Sequence, residues 1–72
     1  MKKRIHKPYN KFKLWLKDNK IVYRDLAKEL GLSEAAVAFK LNGVSDFTIT
    51  EIKKIVEIYN LSYDIFFEDN VA

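Results

Sequence analysis

The sequence predicts a compact all-α domain of five short helices, and three observations support this fold class. The chain has 72 residues, which is enough for one small hydrophobic core and too few for two. Its residues are 49% hydrophobic and 14% aromatic, a composition that favours a folded domain over disorder. The apolar residues recur at helical rather than alternating spacing, and the only helix-breaking residues are two glycines and one proline.

The first helix is predicted to follow a basic N-terminal arm, residues 1–8, which we expect to be flexible. Pro8 is placed in the first helical turn, where its missing N–H costs nothing. The helix is predicted to end near Asn19. Its apolar stripe has the spacing of an amphipathic helix and consists of Tyr9, Phe12, Trp15 and Leu16.

The second and third helices are predicted to be joined by a tight turn. The second spans 23–30, and Gly31 ends it because glycine adopts the left-handed conformation without steric cost. Ser33 is predicted to cap the third helix, 34–41, and Asn42-Gly43 forms the exit. The core wedge between these helices is predicted to contain Leu26, Ala27, Leu30, Leu32, Val37 and Leu41.

The fourth helix begins at a recognisable capping signal. Thr48 and Glu51 have the T-x-x-E spacing of a capping box, and Asn60 is predicted to end the helix. Ser62 is predicted to cap a fifth, short helix, and residues 68–72 form an acidic tail, so the domain itself covers 9–67. The apolar residues of these two helices are Ile52, Ile55, Val56, Tyr59, Ile65, Phe66 and Phe67.

Charge is distributed unevenly along the chain. Residues 1–36 contain ten Lys and Arg against four Asp and Glu, whereas residues 37–72 contain three against six. A basic half indicates an anionic partner, either nucleic acid or a charged protein surface. No run of apolar residues approaches the length of a membrane span, and the chain has no cysteine, so we expect a soluble cytoplasmic protein.

Catalysis is not expected. The chain has a single histidine, His6, and lacks a phosphate-binding glycine loop or a nucleophile with a matching base. Asp25 and Glu29 lie one helical turn apart, but such a pair is typical of a solvated helix face. We predict no enzyme activity, no cofactor, no metal site and no small-molecule substrate.

The segment 23–43 carries the most specific pattern. Ala27, Gly31 and Val37, followed by Leu41-Asn42-Gly43, resemble the lambda-repressor-like family of helix-turn-helix regulators. The continuation, from Asp46-Phe47-Thr48 to Ile65-Phe66-Phe67, is similar to small Cro- and repressor-type regulators of phages that infect Gram-positive bacteria. The resemblance implies a compact five-helix lambda-repressor-like helix-turn-helix domain in the bacterial cytoplasm, whose third helix enters the DNA major groove.

The outward face of the third helix is the predicted recognition surface. Stepping 100° per residue from an inward Val37 places Ala35 and Phe39 outward and Ala38 on the flank, with Glu34 as the polar group. Glu34 can accept a hydrogen bond from a cytosine amine, and Ala35 and Phe39 can contact thymine methyl groups. An exposed Phe beside alanines is equally typical of an anchor for another protein.

A second group of residues is predicted to supply phosphate or rim contacts: Tyr23, Arg24, Lys28, Lys40, Asn42 and Asp46. A solvated charged face is the alternative interpretation for each of them. The family resemblance implies a Thr cap and a Gln at the start of the second helix, but this chain has Val22 and Tyr23 there, which weakens the implied phosphate contact. The Lys2-Lys3-Arg4 arm either follows phosphates or is a solvated terminus.

The residues and the resemblance together give three hypotheses for the regulatory function. In length and pattern the chain is also similar to the small modulators of repression of lactococcal temperate phages, which implies an antirepressor that binds the N-terminal DNA-binding domain of the phage repressor. We favour this function because the third helix offers apolar residues rather than base readers. The alternative is a Cro-like dimer that binds operator DNA directly, with Ile58 and Tyr63 as candidates for a dimer face. Joint binding of this protein and the repressor to DNA is the third hypothesis.

Overall fold

Four α-helices and one 3-10 turn account for the regular structure of residues 3–67, the part of the chain that the computed structural model describes. Within this range there is no strand. The elements are α1 (Asn10–Asp18), α2 (Tyr23–Leu30), α3 (Glu34–Asn42), α4 (Ile49–Tyr59) and a C-terminal 3-10 turn (Tyr63–Phe66). The residue Lys2 of the arm and the predicted acidic tail, 68–72, lie outside the described residues.

The turn between α2 and α3 forms as predicted. Gly31 has a φ of 70° and a left-handed conformation, and its N–H bonds to carbonyls of the last turn of α2. Ser33 caps α3 by accepting a hydrogen bond from the N–H of Ala36 at 3.0 Å. The third helix continues one residue beyond its predicted end, through Asn42, and Gly43 then takes a left-handed conformation.

The capping signals of α4 are also confirmed. The Thr48 side chain accepts from the N–H of Glu51, and the Glu51 carboxylate accepts from the N–H of Thr48, so both halves of the capping box are present. Asn60 ends the helix in a left-handed conformation with a φ of 54°. Residue types with strong local preferences therefore define both ends of this helix.

The first and fifth helices differ from the prediction. Pro8 lies before α1 rather than in its first turn, because the N–H of Tyr9 bonds to the carbonyl of Leu41 at 2.9 Å and the helix begins at Asn10. The predicted fifth helix is a single 3-10 turn, which Ser62 caps through the N–H of Asp64. One tight turn suffices to bury Ile65 and Phe66, whereas Phe67 lies outside it and is 58% exposed.

A single core connects all five elements. The ring of Phe66 lies 5.1 Å from that of Phe12 and 5.3 Å from that of Tyr9, so the 3-10 turn closes the core against α1. Ala27 is buried in the core beside α3, as expected for a small residue where two helices approach closely. The buried side chains are Phe12, Leu16, Leu26, Ala27, Val37, Leu41, Phe47, Ile55, Ile65 and Phe66.

Part of the N-terminal arm contacts the loop after α3, and the sequence did not predict these contacts. The N–H of Ile5 donates to the carbonyl of Gly43 at 2.6 Å, and the Arg4 side chain donates to the carbonyl of Asn42 at 3.1 Å. The His6 ring lies 2.7 Å from the carbonyl oxygen of Ser45. These contacts give residues 4–6 defined partners on the domain.

Candidate functional site

The third helix presents the face that the sequence predicts. Val37 and Leu41 are fully buried, which confirms the inward direction assigned to them. Ala35 is exposed and Phe39 is 40% exposed, while Ala38 is partly buried at the flank. The helix is positioned by the Gly31 turn on one side and by the burial of its inner residues against the core on the other.

The outward face of α3 is chemically simple. Glu34 lies in its first turn and is exposed, where a carboxylate is stabilised by the free N–H groups and dipole of the helix N-terminus. With Ala35, Ala38 and Phe39 it forms one surface, since positions i, i+1, i+4 and i+5 share a helix face. We call these four residues the α3 face. It offers one hydrogen-bond acceptor, three apolar side chains and no donor.

Lys40 is oriented towards the protein itself rather than towards a partner. Its ammonium group lies 2.9 Å from the Glu51 carboxylate and 3.1 Å from the carbonyl of Asp46, and the side chain is only 14% exposed. It also lies 5.9 Å from the centre of the Phe47 ring. In this structure Lys40 joins α3 to the beginning of α4.

This ion pair also affects the titration of Glu51. Partial burial alone raises the pKa of a carboxyl group, but the hydrogen bonds from Thr48 and the nearby charge of Lys40 outweigh that effect. The pKa of Glu51 is consequently lowered from its ordinary value of 4.5. The carboxylate is therefore ionised at neutral pH, as both the capping box and the ion pair require.

Asn42 and Asp46, two further candidates for rim contacts, have internal partners as well. The Asn42 amide donates to the carbonyl of Ala38 at 2.9 Å and accepts from the ammonium of Lys13 at 2.6 Å. The Asp46 carboxylate accepts from the hydroxyl of Tyr9 and from the N–H of Phe47. Their polar groups hold the end of α3 and the loop that follows it.

Helix α2 exposes two cationic candidates, one near its start and one, Lys28, in its last turn. Val22 occupies the N-cap position and forms no side-chain cap, as its chemistry predicts. Arg24 and Lys28 are exposed, whereas Tyr23 is partly buried. Burial raises the pKa of Tyr23, so its hydroxyl stays protonated at neutral pH and remains a donor.

One feature was not predicted from the sequence: an open groove of about 520 Å³ between α1, the loop before α2 and the start of α3. Leu14 and Val22 form apolar walls, and Lys13, Lys17 and Glu34 supply charged groups. The spacing of Lys13, Leu14 and Lys17 could have indicated one wall of this groove, because these positions share one face of α1.

The site as a whole is the pair α2 and α3 with the tight turn at Gly31 between them, the arrangement of a helix-turn-helix motif. The BetR domain family matches residues 5–72. The chain belongs to the BetR domain family. Because this is a family of helix-turn-helix regulatory domains and not of enzymes, the BetR domain described here is a small transcriptional regulator.

No curated protein and no solved structure matches this BetR domain. Across residues 3–67, none of the helices has the length and apolar character needed to cross a membrane.

Proposed function

We propose that this BetR domain is an antirepressor of a temperate phage. In this proposal the α3 face binds the N-terminal DNA-binding domain of the phage repressor and thereby prevents the repressor from occupying its operator. The observation that carries the proposal is the chemistry of the α3 face, which has one carboxylate and three apolar side chains and lacks the Arg, Lys, Asn or Gln side chains that most often read base edges.

The acidic group and the exposed ring suit a protein surface that binds DNA. Such a surface is basic, so Glu34 at the exposed start of α3 is complementary to it. Phe39 supplies the kind of aromatic side chain that contributes most to protein interfaces when a partner buries it. A DNA duplex would instead bring phosphates close to the Glu34 carboxylate, which is unfavourable.

The internal contacts of the rim candidates support the same function. Lys40 and Asn42 use their donors within the protein, so reaching a phosphate would require them to give up those hydrogen bonds. Helix α2 begins without a side-chain cap that could orient a phosphate contact. Exposed cations remain at Arg24 and Lys28, and these favour the alternative of a Cro-like dimer that binds operator DNA directly.

A competition experiment separates the two functions. Fluorescently labelled operator DNA is first bound by a phage repressor, and the BetR domain is then added while anisotropy is followed at low and physiological salt. An antirepressor releases the repressor from DNA and forms a stable complex with it in size-exclusion chromatography. Selective, tight binding of the operator by the BetR domain alone, without a repressor complex, would establish the Cro-like function instead. A ternary species that contains DNA would show joint binding.

A further inference from the structure

The groove beside α1 has exposed apolar walls. Leu14 is 57% exposed and Val22 is 50% exposed, and Ile21 lies with them in the lining. When another molecule covers aliphatic side chains in an open groove, the free energy falls by roughly 25 cal/mol for each Å² of apolar surface removed from water. The volume of about 520 Å³ is sufficient for bulky side chains of a partner.

The rim of this groove is polarised. Lys13 and Lys17 lie one turn apart on α1, whereas Glu34 lies at the α3 end. The ammonium of Lys13 bonds to the neutral amide of Asn42, so no carboxylate compensates its charge there. Lys17 is exposed. The groove therefore carries two positive charges along α1 and one negative charge at its far end.

We propose that this groove binds an amphipathic segment of a partner protein, in which bulky aliphatic or aromatic side chains are flanked by carboxylates. The apolar side chains cover Leu14 and Val22, one carboxylate pairs with the exposed Lys17, and a second approaches Lys13, whose ammonium keeps its hydrogen bond to Asn42. The negative charge of Glu34 orients the segment, because it disfavours a carboxylate at the α3 end and favours a basic residue there.

A protein segment fits this groove better than nucleic acid does. Phosphates would satisfy the two lysines, but a phosphate backbone gains nothing from the aliphatic side chains between α1 and α2. The inference also goes beyond the proposed antirepressor function. The groove shares Glu34 with the α3 face, but its apolar walls and both lysines lie on α1 and the loop before α2, so it is a separate binding surface.

The first test uses a synthetic helical peptide with two leucines one turn apart, each flanked by glutamates. The peptide is titrated into the nitrogen-15-labelled full chain, and amide chemical shifts are recorded by NMR. We expect saturable shifts around Leu14, Lys17 and Val22. A peptide in which glutamines replace the glutamates should bind about tenfold more weakly, since the charge interactions with Lys13 and Lys17 are lost.

Variants with matched controls locate the binding site. Leu14→Ser should weaken peptide binding at least about tenfold, whereas Ile49→Ser, which alters an aliphatic residue that is 69% exposed on α4, should not. Lys17→Gln should weaken binding about threefold, and Lys11→Gln, the same change at another exposed lysine of α1, should leave it unchanged. Circular dichroism confirms that each variant is folded.

Other results would overturn the inference. These are the absence of saturable shifts, shifts confined to other surfaces, equal weakening by the control variants, or displacement of the peptide by a mixed-sequence DNA duplex that shifts the same amides. Phe39→Ala separates this inference from the antirepressor proposal, because it should impair repressor binding and leave peptide binding intact. Failure of one proposal is thus distinguishable from failure of the other.

Discussion

Gly43 shows how one residue connects the arm to the helix-turn-helix motif. Its φ of 97° is strained for any residue with a Cβ, and a Cβ built there would collide with the carbonyl oxygen of His6. Gly31 has a similar φ of 70°, but no other atom lies near the position of its Cβ. Substituting each glycine in turn therefore distinguishes the cost of backbone strain alone, at Gly31, from the cost of strain plus a collision with the arm, at Gly43.

We predict that Gly43→Ala lowers the free energy of unfolding more than Gly31→Ala does. Gly31→Ala should cost about 1 kcal/mol, the penalty of the left-handed conformation alone. Gly43→Ala should cost about 2 kcal/mol or more, because the arm must also move away from the loop. Urea denaturation measures both values. Equal losses for the two variants would show that the arm contributes nothing to this region.

Phe39 is the residue on which the proposed interface depends most. Phe39→Ala should weaken repressor binding by about 2 kcal/mol, because a ring buried at the centre of an interface loses its contacts. Phe67→Ala removes an aromatic ring that is 58% exposed and lies after the C-terminal 3-10 turn, and this change should leave repressor affinity unchanged. Isothermal titration calorimetry compares the two. The role of Phe39 is refuted if both variants bind like the wild type.

At the scale of elements, α4 is coupled to α3 through its own N-terminus. Glu51 serves at once as the acidic member of the capping box and as the partner of Lys40. An ionised carboxylate is needed for both contacts, and its lowered pKa reflects them. The stability it contributes is present above the ordinary pKa of 4.5 and disappears as the pH falls through the lower value in the folded state.

Glu51→Gln should lower the free energy of unfolding at pH 7 by about 1 kcal/mol, since the amide keeps the size of the side chain but loses its charge. The difference from the wild type should shrink as the pH falls below 4.5, because the wild-type carboxylate then becomes protonated. Urea denaturation at several pH values measures this, with Glu57→Gln as an exposed control on α4. A difference that stays constant down to pH 3 would contradict the assignment.

At the scale of the whole molecule, the uneven charge of the sequence becomes a spatial pattern. The helices α1 and α2 belong to the basic half and carry the lysines of the groove and the exposed Arg24 and Lys28. The α3 face begins instead with the carboxylate of Glu34. Surfaces of opposite charge thus lie next to each other, and each favours a partner whose surface carries the complementary charge.

Glu34→Lys tests which surface matters. The variant should lose about tenfold in affinity for a basic repressor domain and gain general affinity for DNA with a steeper dependence on salt. Glu57→Lys changes the net charge by the same amount on α4 and serves as the control. Fluorescence anisotropy at several salt concentrations measures both. An equal effect of the two changes would mean that net charge alone, and not the α3 face, governs binding.

Many features of this protein depend on local chemistry and could therefore be predicted before the fold was known. The glycine and asparagine C-caps, the Ser33 cap, the capping box of α4 and the inward direction of Val37 and Leu41 all depend on residues within one or two turns of each other. The helix-turn-helix segment was predictable for the same reason. The fifth helix was overestimated because apolar spacing alone does not distinguish an α-helix from a single 3-10 turn.

The polar residues around α3 have partners that could not be predicted before the packing of the helices was known. Arg4 reaches Asn42 across 38 positions of sequence, and Lys40 reaches Glu51 across 11, so no helical period relates these partners. The groove likewise requires α1, the following loop and α3 to meet in space. Periodicity reports which face of a helix is buried, but a polar side chain finds its partner through the packing of separate helices.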